Sequence, residues 1–189
     1  MPVTGKLKIK ISVAYTKEFD LSTPKDPLSL ARQISISSAV GADYPADLLW
    51  HDCRTLADAA SEIIDLYNLT DAFGDTTSFS NLKCIYIRNN SEDANLLIGG
   101  SDYIILFTSS DTIIQLPPQG VFYTQFERAD GLIIEPGEDK IKIAHDGTGS
   151  DSLTYDIVLV GHTTQPTPTP TASPTPTPSP SPTPTPTPT

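Results

Sequence analysis

Two places in the sequence put a histidine beside an acid, and one of them also carries a thiol. His51, Asp52 and Cys53 are consecutive, and His145 precedes Asp146. A cysteine becomes a nucleophile when a histidine takes its proton, so Cys53 and His145 could act together if the fold joined them. No helix N-terminus is predicted at Cys53 to lower its pKa, and no oxyanion loop is evident. The pattern therefore favours a half-buried structural cysteine, and we expect no enzymatic activity.

Acidic residues also gather around glycine in two loops. Asp71 and Asp75 flank Gly74, and Asp146 and Asp151 flank a second glycine-containing loop. Carboxylates so placed could bind calcium, but neither loop matches an EF-hand. Asp and Gly are also the ordinary residues of tight turns. The sequence therefore predicts turns here, and it indicates no catalytic residue, no metal site and no cofactor.

The elements that must position these residues follow a β pattern. From Ser61 to Phe126, short apolar runs rich in Ile, Leu, Tyr and Phe are interrupted by clusters of Asn, Asp, Ser, Gly or Pro. Such spacing is typical of antiparallel sandwiches and barrels. The sequence predicts an all-β fold, an antiparallel β-sandwich or jelly-roll-like single domain over residues 1–162.

The clearest strand lies near the N-terminus, at residues 7–15. Aliphatic residues alternate there with Lys6, Lys8 and Lys10, a period of two that places the lysines on one side. We expect the aliphatic side to lie on the core and the lysine side to meet water or a partner. A solvated face is favoured over a nucleic-acid or membrane site, and the three lysines are candidate partner contacts.

The remaining strands have less regular patterns than residues 7–15. A short strand is suggested at 19–21, and two prolines at 22–27 predict a turn without regular pairing. A helix competes across 46–66, where we favour a loop or single helical turn over 47–60. The apolar runs at 104–107 and 157–160 indicate strands buried on both sides, as central strands or subunit contacts. Further strands are predicted at 33–40, 62–67, 82–88, 95–98, 103–107, 112–116, 120–126, 131–134, 140–144 and 153–160.

The C-terminal segment, residues 163–189, is a second region built almost only of Pro, Thr and Ser. It holds eleven of the eighteen prolines and no charge. Alternating proline fixes φ and removes backbone donors, which favours an extended polyproline II tail that is disordered or without internal hydrogen bonds. Its first residues, Gln165, Pro166, Thr167 and Pro168, are candidate partner contacts beside the lysines. The alternatives are a simple linker and a stalk carrying O-linked sugars.

Composition excludes several classes of partner. The formal net charge of −11 lies entirely outside the tail, and so acidic a body argues against nucleic acid. No apolar stretch approaches the length of a signal peptide or a membrane span, so we expect synthesis in a cytoplasm and no membrane partner. The only cysteines, Cys53 and Cys84, match no zinc or redox spacing and are expected to be free thiols.

A resemblance extends over most of residues 6–161. The segment from Thr55 to Lys83, with its Leu-Thr-Asp-Ala-Phe-Gly turn at 69–74, and the Tyr-Asp-Ile-Val strand at 155–158 are its distinctive parts. They resemble uncharacterised virion-associated structural proteins of tailed bacteriophages and prophages. The charged segment 127–131 and the Pro/Thr tail depart from that family. The resemblance implies a phage structural protein and transfers no active site.

The leading functional hypothesis is therefore a virion protein, made in the bacterial host cytoplasm, that decorates or cements the capsid. Its expected partners are the major capsid protein or other virion proteins, together with copies of itself in a homo-oligomer such as a trimer. The alternative is a tail-fibre or head-fibre module that recognises host glycans. Aromatic residues that could form a sugar-binding face are Tyr86, Tyr103, Phe107, Phe122, Tyr123 and Phe126, although core packing is favoured for them.

Overall fold

The structure, a computed structural model, describes residues 4–16, 25–38, 45–100, 112–127, 130–149 and 152–163. Within these residues the chain is all-β and contains no helix, as the alternating pattern predicts. The strands are β1 (Thr4–Thr16), β2 (Lys25–Ser37), β3 (Leu48–Ala57), β4 (Ser61–Asp65), β5 (Leu69–Thr70), β6 (Thr76–Thr77), β7 (Asn81–Asn89), β8 (Leu96–Gly99), β9 (Ile113–Leu116), β10 (Val121–Gln125), β11 (Leu132–Ile133), β12 (Lys140–His145) and β13 (Ser152–His162).

Two antiparallel sheets form the body of the molecule. One has the order β10-β7-β13-β3, with β11 also paired to β7, and the other has the order β4-β12-β8-β9. Their facing side chains share one hydrophobic core, which is the arrangement of a β-sandwich. Fully buried members from the two sheets include Ile85, Ile87, Ile157, Leu159, Ile64, Leu96, Ile141 and Ile143. The predicted fold class is confirmed.

Strand β13 is the centre of the larger sheet. It pairs with β3 from Ser152 to Gly161 on one side and with β7 from Tyr155 to His162 on the other. Its inward residues are fully buried, while Val160 is covered on the opposite face. The prediction of a central strand at 157–160, buried on both sides, is therefore confirmed.

Strands β1 and β2 form a separate two-stranded hairpin, called the arm below. All thirteen residues of β1 pair with β2, from Thr4 opposite Ser37 to Thr16 opposite Lys25. At its base, Ile34 and Ile36 pack on Cys84 and Val160, on the outer face of the larger sheet. The aliphatic side of β1 thus contacts a small second cluster rather than the main core, which corrects the expectation that it lies on the core.

The prediction of a loop or helical turn over 47–60 is wrong. Ten of these residues form β3, which pairs with β13 along its whole length. Its first four residues alternate between buried and exposed, with Leu48 and Trp50 facing the core and Leu49 and His51 facing out. The turn comes only afterwards, where Ala59 adopts a positive φ of 53°. Pairing with a strand about a hundred residues away outweighs a weak local helical pattern.

Pro27 also differs from expectation, and Pro24 lies outside the described residues. Pro27 lies inside β2, opposite Ala14, rather than in a turn. Among the described residues β2 pairs with β1 alone, so it is an edge strand, and a proline is tolerated where no ladder hydrogen bond is required of its nitrogen. The suggested strands at 19–21 and 103–107, and the tail residues Gln165–Pro168, lie outside the described residues.

Candidate functional site

The structure does not bring the histidine and cysteine candidates together. Cys53 is exposed on edge strand β3, whereas His145 is buried at the end of β12 in the other sheet. The Asp156 carboxylate, opposite Cys53 in the ladder, accepts the thiol hydrogen bond and so raises the pKa of Cys53. The imidazole Nδ1 of His145 accepts a hydrogen bond from the Gly147 N–H at 2.9 Å. A raised thiol pKa and a histidine already used in a turn do not make an activated nucleophile.

Asp71 and Asp146, one in each glycine loop, accept hydrogen bonds from their own loops, and Asp151 lies outside the described residues. Asp71 Oδ1 accepts the N–H groups of Phe73 at 2.9 Å and Asp75 at 3.0 Å. Asp146 accepts hydrogen bonds from Thr148 and from the Asn95 side chain, and these bonds lower its pKa against the opposing effect of burial. In the described part of the chain no group of three or more His, Cys, Asp or Glu side chains is placed to hold a metal ion.

A polar network ties the two sheets together beside Trp50. The buried Tyr155 hydroxyl donates to Glu62 at 2.7 Å, and Glu62 also accepts from Arg54. Arg54 in turn binds Asp52 and lies 5.7 Å above the Trp50 ring. Burial and the Glu62 carboxylate raise the pKa of Tyr155 far above its ordinary value. Each charge here has a partner, so the network is a structural clamp between β13, β3 and β4.

A groove of about 540 Å³ lies along the start of β3. It is lined mainly by Leu49, His51, Asp71 and Phe73, together with the ends of the described chain near Thr163. Phe73 is 73% exposed, the most exposed large apolar side chain of the described residues. Trp50 also lines the groove, although most of its ring is buried and its Nε1–H donates to Thr70 O at 2.9 Å.

The most unusual surface of the molecule is the aliphatic side of the arm. Beyond the base, five large aliphatic side chains stand next to one another, and no other described residue forms a layer over them. Their exposed fractions range from 36% to 61%. We call this surface the arm patch; its members are Ile9, Ile11, Val13, Leu28 and Leu30. The register makes it continuous, since Ile11 lies opposite Leu30 and Val13 opposite Leu28.

The opposite side of the arm carries the predicted lysines. Lys6, Lys8 and Lys10 are all exposed, as their alternation predicts. They sit towards the base, and the side chains around Ser12 and Ser29 further out are small and neutral. The five residues of the arm patch were not singled out in the sequence, because alternation identifies a face but does not show whether another layer covers it.

The apolar contacts of its base and an ion pair fasten the arm to the body. Arg32 forms a two-pronged ion pair with Glu127, an exposed contact whose guanidinium hydrogen bond lowers the pKa of Glu127. Beneath the base, burial raises the pKa of the Cys84 thiol to about 11 and that of the neighbouring Tyr123 to about 12. Cys84 is therefore a free but shielded thiol, and both cysteines are free as expected.

The last described residue is held to the body by Asp47. The Asp47 carboxylate accepts hydrogen bonds from both the N–H and the hydroxyl of Thr163, each at 2.9 Å. The Asp47 Oδ1 atom also lies 3.2 Å from His162 Nδ1. The point where the Pro/Thr segment begins is thereby fixed at one end of β13. The candidate contacts Gln165, Pro166, Thr167 and Pro168 themselves lie beyond the described residues, so they stay predictions.

Comparison with known proteins adds no assignment. No protein-family model matches the chain, and no curated protein sequence matches it significantly. The described residues contain no helix that could cross a membrane.

Proposed function

We propose that this chain is a structural protein of a phage virion, and that it acts as a capsid decoration or cement protein that binds and stabilises the assembled head. The observation that carries the proposal is the arm, a thirteen-residue hairpin with an uncovered aliphatic side on an otherwise well-packed sandwich. Exposed aliphatic patches of this kind are typical of surfaces that bind other protein chains, either capsid subunits or further copies of the same chain. The resemblance of residues 6–161 to virion-associated proteins supports the same choice.

The mechanism proposed is mechanical rather than chemical. A protein that binds only the assembled shell stabilises that shell by mass action, and it needs no catalytic group to do so. The polar clusters of the described residues fit this role, since they close turns or join the two sheets. The acidic body disfavours a nucleic-acid partner, which leaves protein surfaces as the expected target.

Quantitative mass spectrometry of purified particles tests the proposal. If the chain decorates the head, its copy number will equal that of the major capsid protein or be a simple fraction of it. Particles assembled without it should lose their contents at a lower temperature than complete particles, and adding the purified chain should restore the difference. Absence of the chain from particles would overturn the virion assignment.

A fibre module that binds host glycans is the second candidate, and the exposed Phe73 beside the groove favours it. Aromatic rings often stack on sugars, and Asp71 and His51 could supply hydrogen bonds there. Titration with host surface polysaccharide, using Phe73→Ala and the exposed aliphatic Ile133→Ala as a matched control, tests it. A fibre module should be present at a few per cent of the copy number of the major capsid protein. Phe73→Ala should lose polysaccharide binding, and Ile133→Ala should keep it.

A further inference from the structure

A two-stranded hairpin with one aliphatic side is not stable by itself in water. The base of the arm has a covering layer, because Ile34 and Ile36 lie on the larger sheet. Among the described residues, none forms such a layer over the arm patch. The patch nevertheless continues the same face, and Ile9 opposite Arg32 marks the boundary. The apolar side of the arm is therefore covered for about half its length by its own chain and open for the rest.

The chemistry of the arm patch selects the kind of surface that can cover it. It consists of aliphatic groups alone, with neither the aromatic rings that stack on sugars nor the basic groups that bind phosphates. The nearest charge on this face, Arg32, is already paired with Glu127. The lysines point to the other side of the hairpin. Only another apolar surface matches such a patch.

Charge distribution favours a second copy of this chain as the source of that surface. The two arm strands hold five of the twelve Lys and Arg residues but one of the 23 Asp and Glu residues. The rest of the chain is strongly acidic, so two copies approaching through their bodies would repel each other. Contact through the aliphatic sides of the arms keeps the acidic bodies apart and leaves the lysines of both arms on the outer sides of the pair.

The centre of the arm patch also satisfies the requirement of two-fold symmetry. Residues near a two-fold axis meet their own counterparts, so a charge there would repel itself. The middle of the arm, residues 11–14 and 27–31, contains no charged residue, and Lys25 and Asp26 lie at its outer end. Ile11 and Leu30, paired at its middle, can therefore face the same residues of a second arm at the usual spacing of roughly 10 Å between packed sheets.

We propose that the arm patch is buried against the arm patch of a second copy of this chain, which gives a two-fold dimer held by two hairpins packed face to face. The inference rests on the proposed structural function, because it names the copies of this chain as one partner in that assembly. A patch of five side chains on each copy is smaller than the surface that a stable interface buries, so the dimer should be weak and reversible.

Sedimentation velocity of the full chain over a range of concentrations tests the proposal directly. The wild type should shift from monomer to dimer as concentration rises. Ile11→Glu, which puts a charge at the centre of the patch, should weaken dimerisation by about a hundredfold or more, because a buried unpaired charge is costly. Ser12→Glu adds the same charge to the exposed opposite side of the same strand and should leave dimerisation within about threefold of wild type.

A cross-linking experiment covers the case in which Ile11→Glu disturbs the arm itself. Ile11→Cys in a Cys53→Ser background should form a disulfide-linked dimer on mild oxidation, whereas Ser12→Cys in that background should not. A wild type that stays monomeric throughout, or equal effects of Ile11→Glu and Ser12→Glu, would overturn the proposal. So would binding of the monomer to phosphatidylcholine vesicles through the patch, which would assign it to a lipid surface.

The outcome is separable from that of the proposed function. Dimerisation is measured on the purified chain, while the virion role is measured by copy number in particles. A dimer that is absent from particles would retain the arm contact and remove the virion assignment. A chain that stays monomeric but is present at capsid copy number would support the virion assignment and overturn the dimer. The capsid shell would then be the surface that covers the patch.

Discussion

Strands β1 and β13 each have an apolar side, and these two sides lie in opposite environments. Both are long antiparallel strands in which apolar residues occupy every second position of one face, and β13 adds Val158 and Val160 on the other face. In β13 the inward residues Ile157 and Leu159 are fully buried, whereas Ile11 and Val13 in β1 are 44% and 57% exposed. The difference lies in what surrounds each strand, since β13 has two neighbours and a second sheet above it, and β1 has one neighbour. An alternating pattern therefore specifies a face, and the covering layer is a separate property.

The largest expected effect comes from removing matched leucines from the two regions. Leu159→Ala should lower the free energy of unfolding by about 2–5 kcal/mol, because it leaves a cavity in the sandwich core. Leu30→Ala should change it by less than about 1 kcal/mol in dilute solution, because the side chain is largely exposed in the monomer. Urea unfolding at low protein concentration, followed by the fluorescence of Trp50, measures both. Equal losses would mean that the monomer buries the arm patch.

A smaller effect is expected at the base of the arm, where Cys84 reports whether the hairpin stays closed. Ile36→Ser should raise the labelling rate of Cys84 by about tenfold or more, because the apolar burial that holds the base shut is worth on the order of 1.5–3 kcal/mol. Rates of reaction with a thiol reagent, resolved by peptide mass spectrometry, measure this. Exposed Cys53 is the internal control, and Ser35→Ala on the other side of β2 should leave both rates unchanged.

The smallest effect is expected from the ion pair between arm and body. Glu127→Gln should modestly lower the hydrogen-exchange protection of the arm amides, and the difference should shrink in high salt, because the pair is exposed. Arg32 lowers the pKa of Glu127, so the contribution is present above the ordinary carboxylate pKa and is lost as pH falls through the lowered one. Wild type and variant should therefore differ near neutral pH, and the difference should shrink in acid as Glu127 becomes protonated. A difference that does not change with pH would show that the ion pair is not its cause.

Local pattern predicts most of this fold, and long-range pairing accounts for the rest. The alternation of β1, the exposure of its lysines and the double burial of β13 follow from residue spacing alone. The strand at Leu48–Ala57 does not, because its leucines and alanines also fit a helix, and pairing with β13 decides between the two. Pro27 could be placed in a strand only once β2 was known to lie at an edge.

The polar side chains show the same division. Asp71 could be assigned to a turn because its partners are two and four residues away. The clamp of Arg54, Glu62 and Tyr155 could not be predicted from the sequence. Tyr155 is 93 residues from Glu62, and no local pattern links the two. The arm patch escaped prediction for a third reason. Its residue types are those of an ordinary core strand. The patch differs from a core strand only because no second layer of described residues covers it.

The anchoring of Thr163 to the end of β13 has a mechanical consequence. A partner that grips the chain beyond this residue and moves away would pull along the axis of the central strand. Because β13 is paired on both sides over most of its length, such a load is shared by two ladders of hydrogen bonds that must shear together. The hydrogen bonds that Asp47 accepts from Thr163 pass part of the tension to the residue that precedes β3. The sandwich is thus built to resist traction from its C-terminal side.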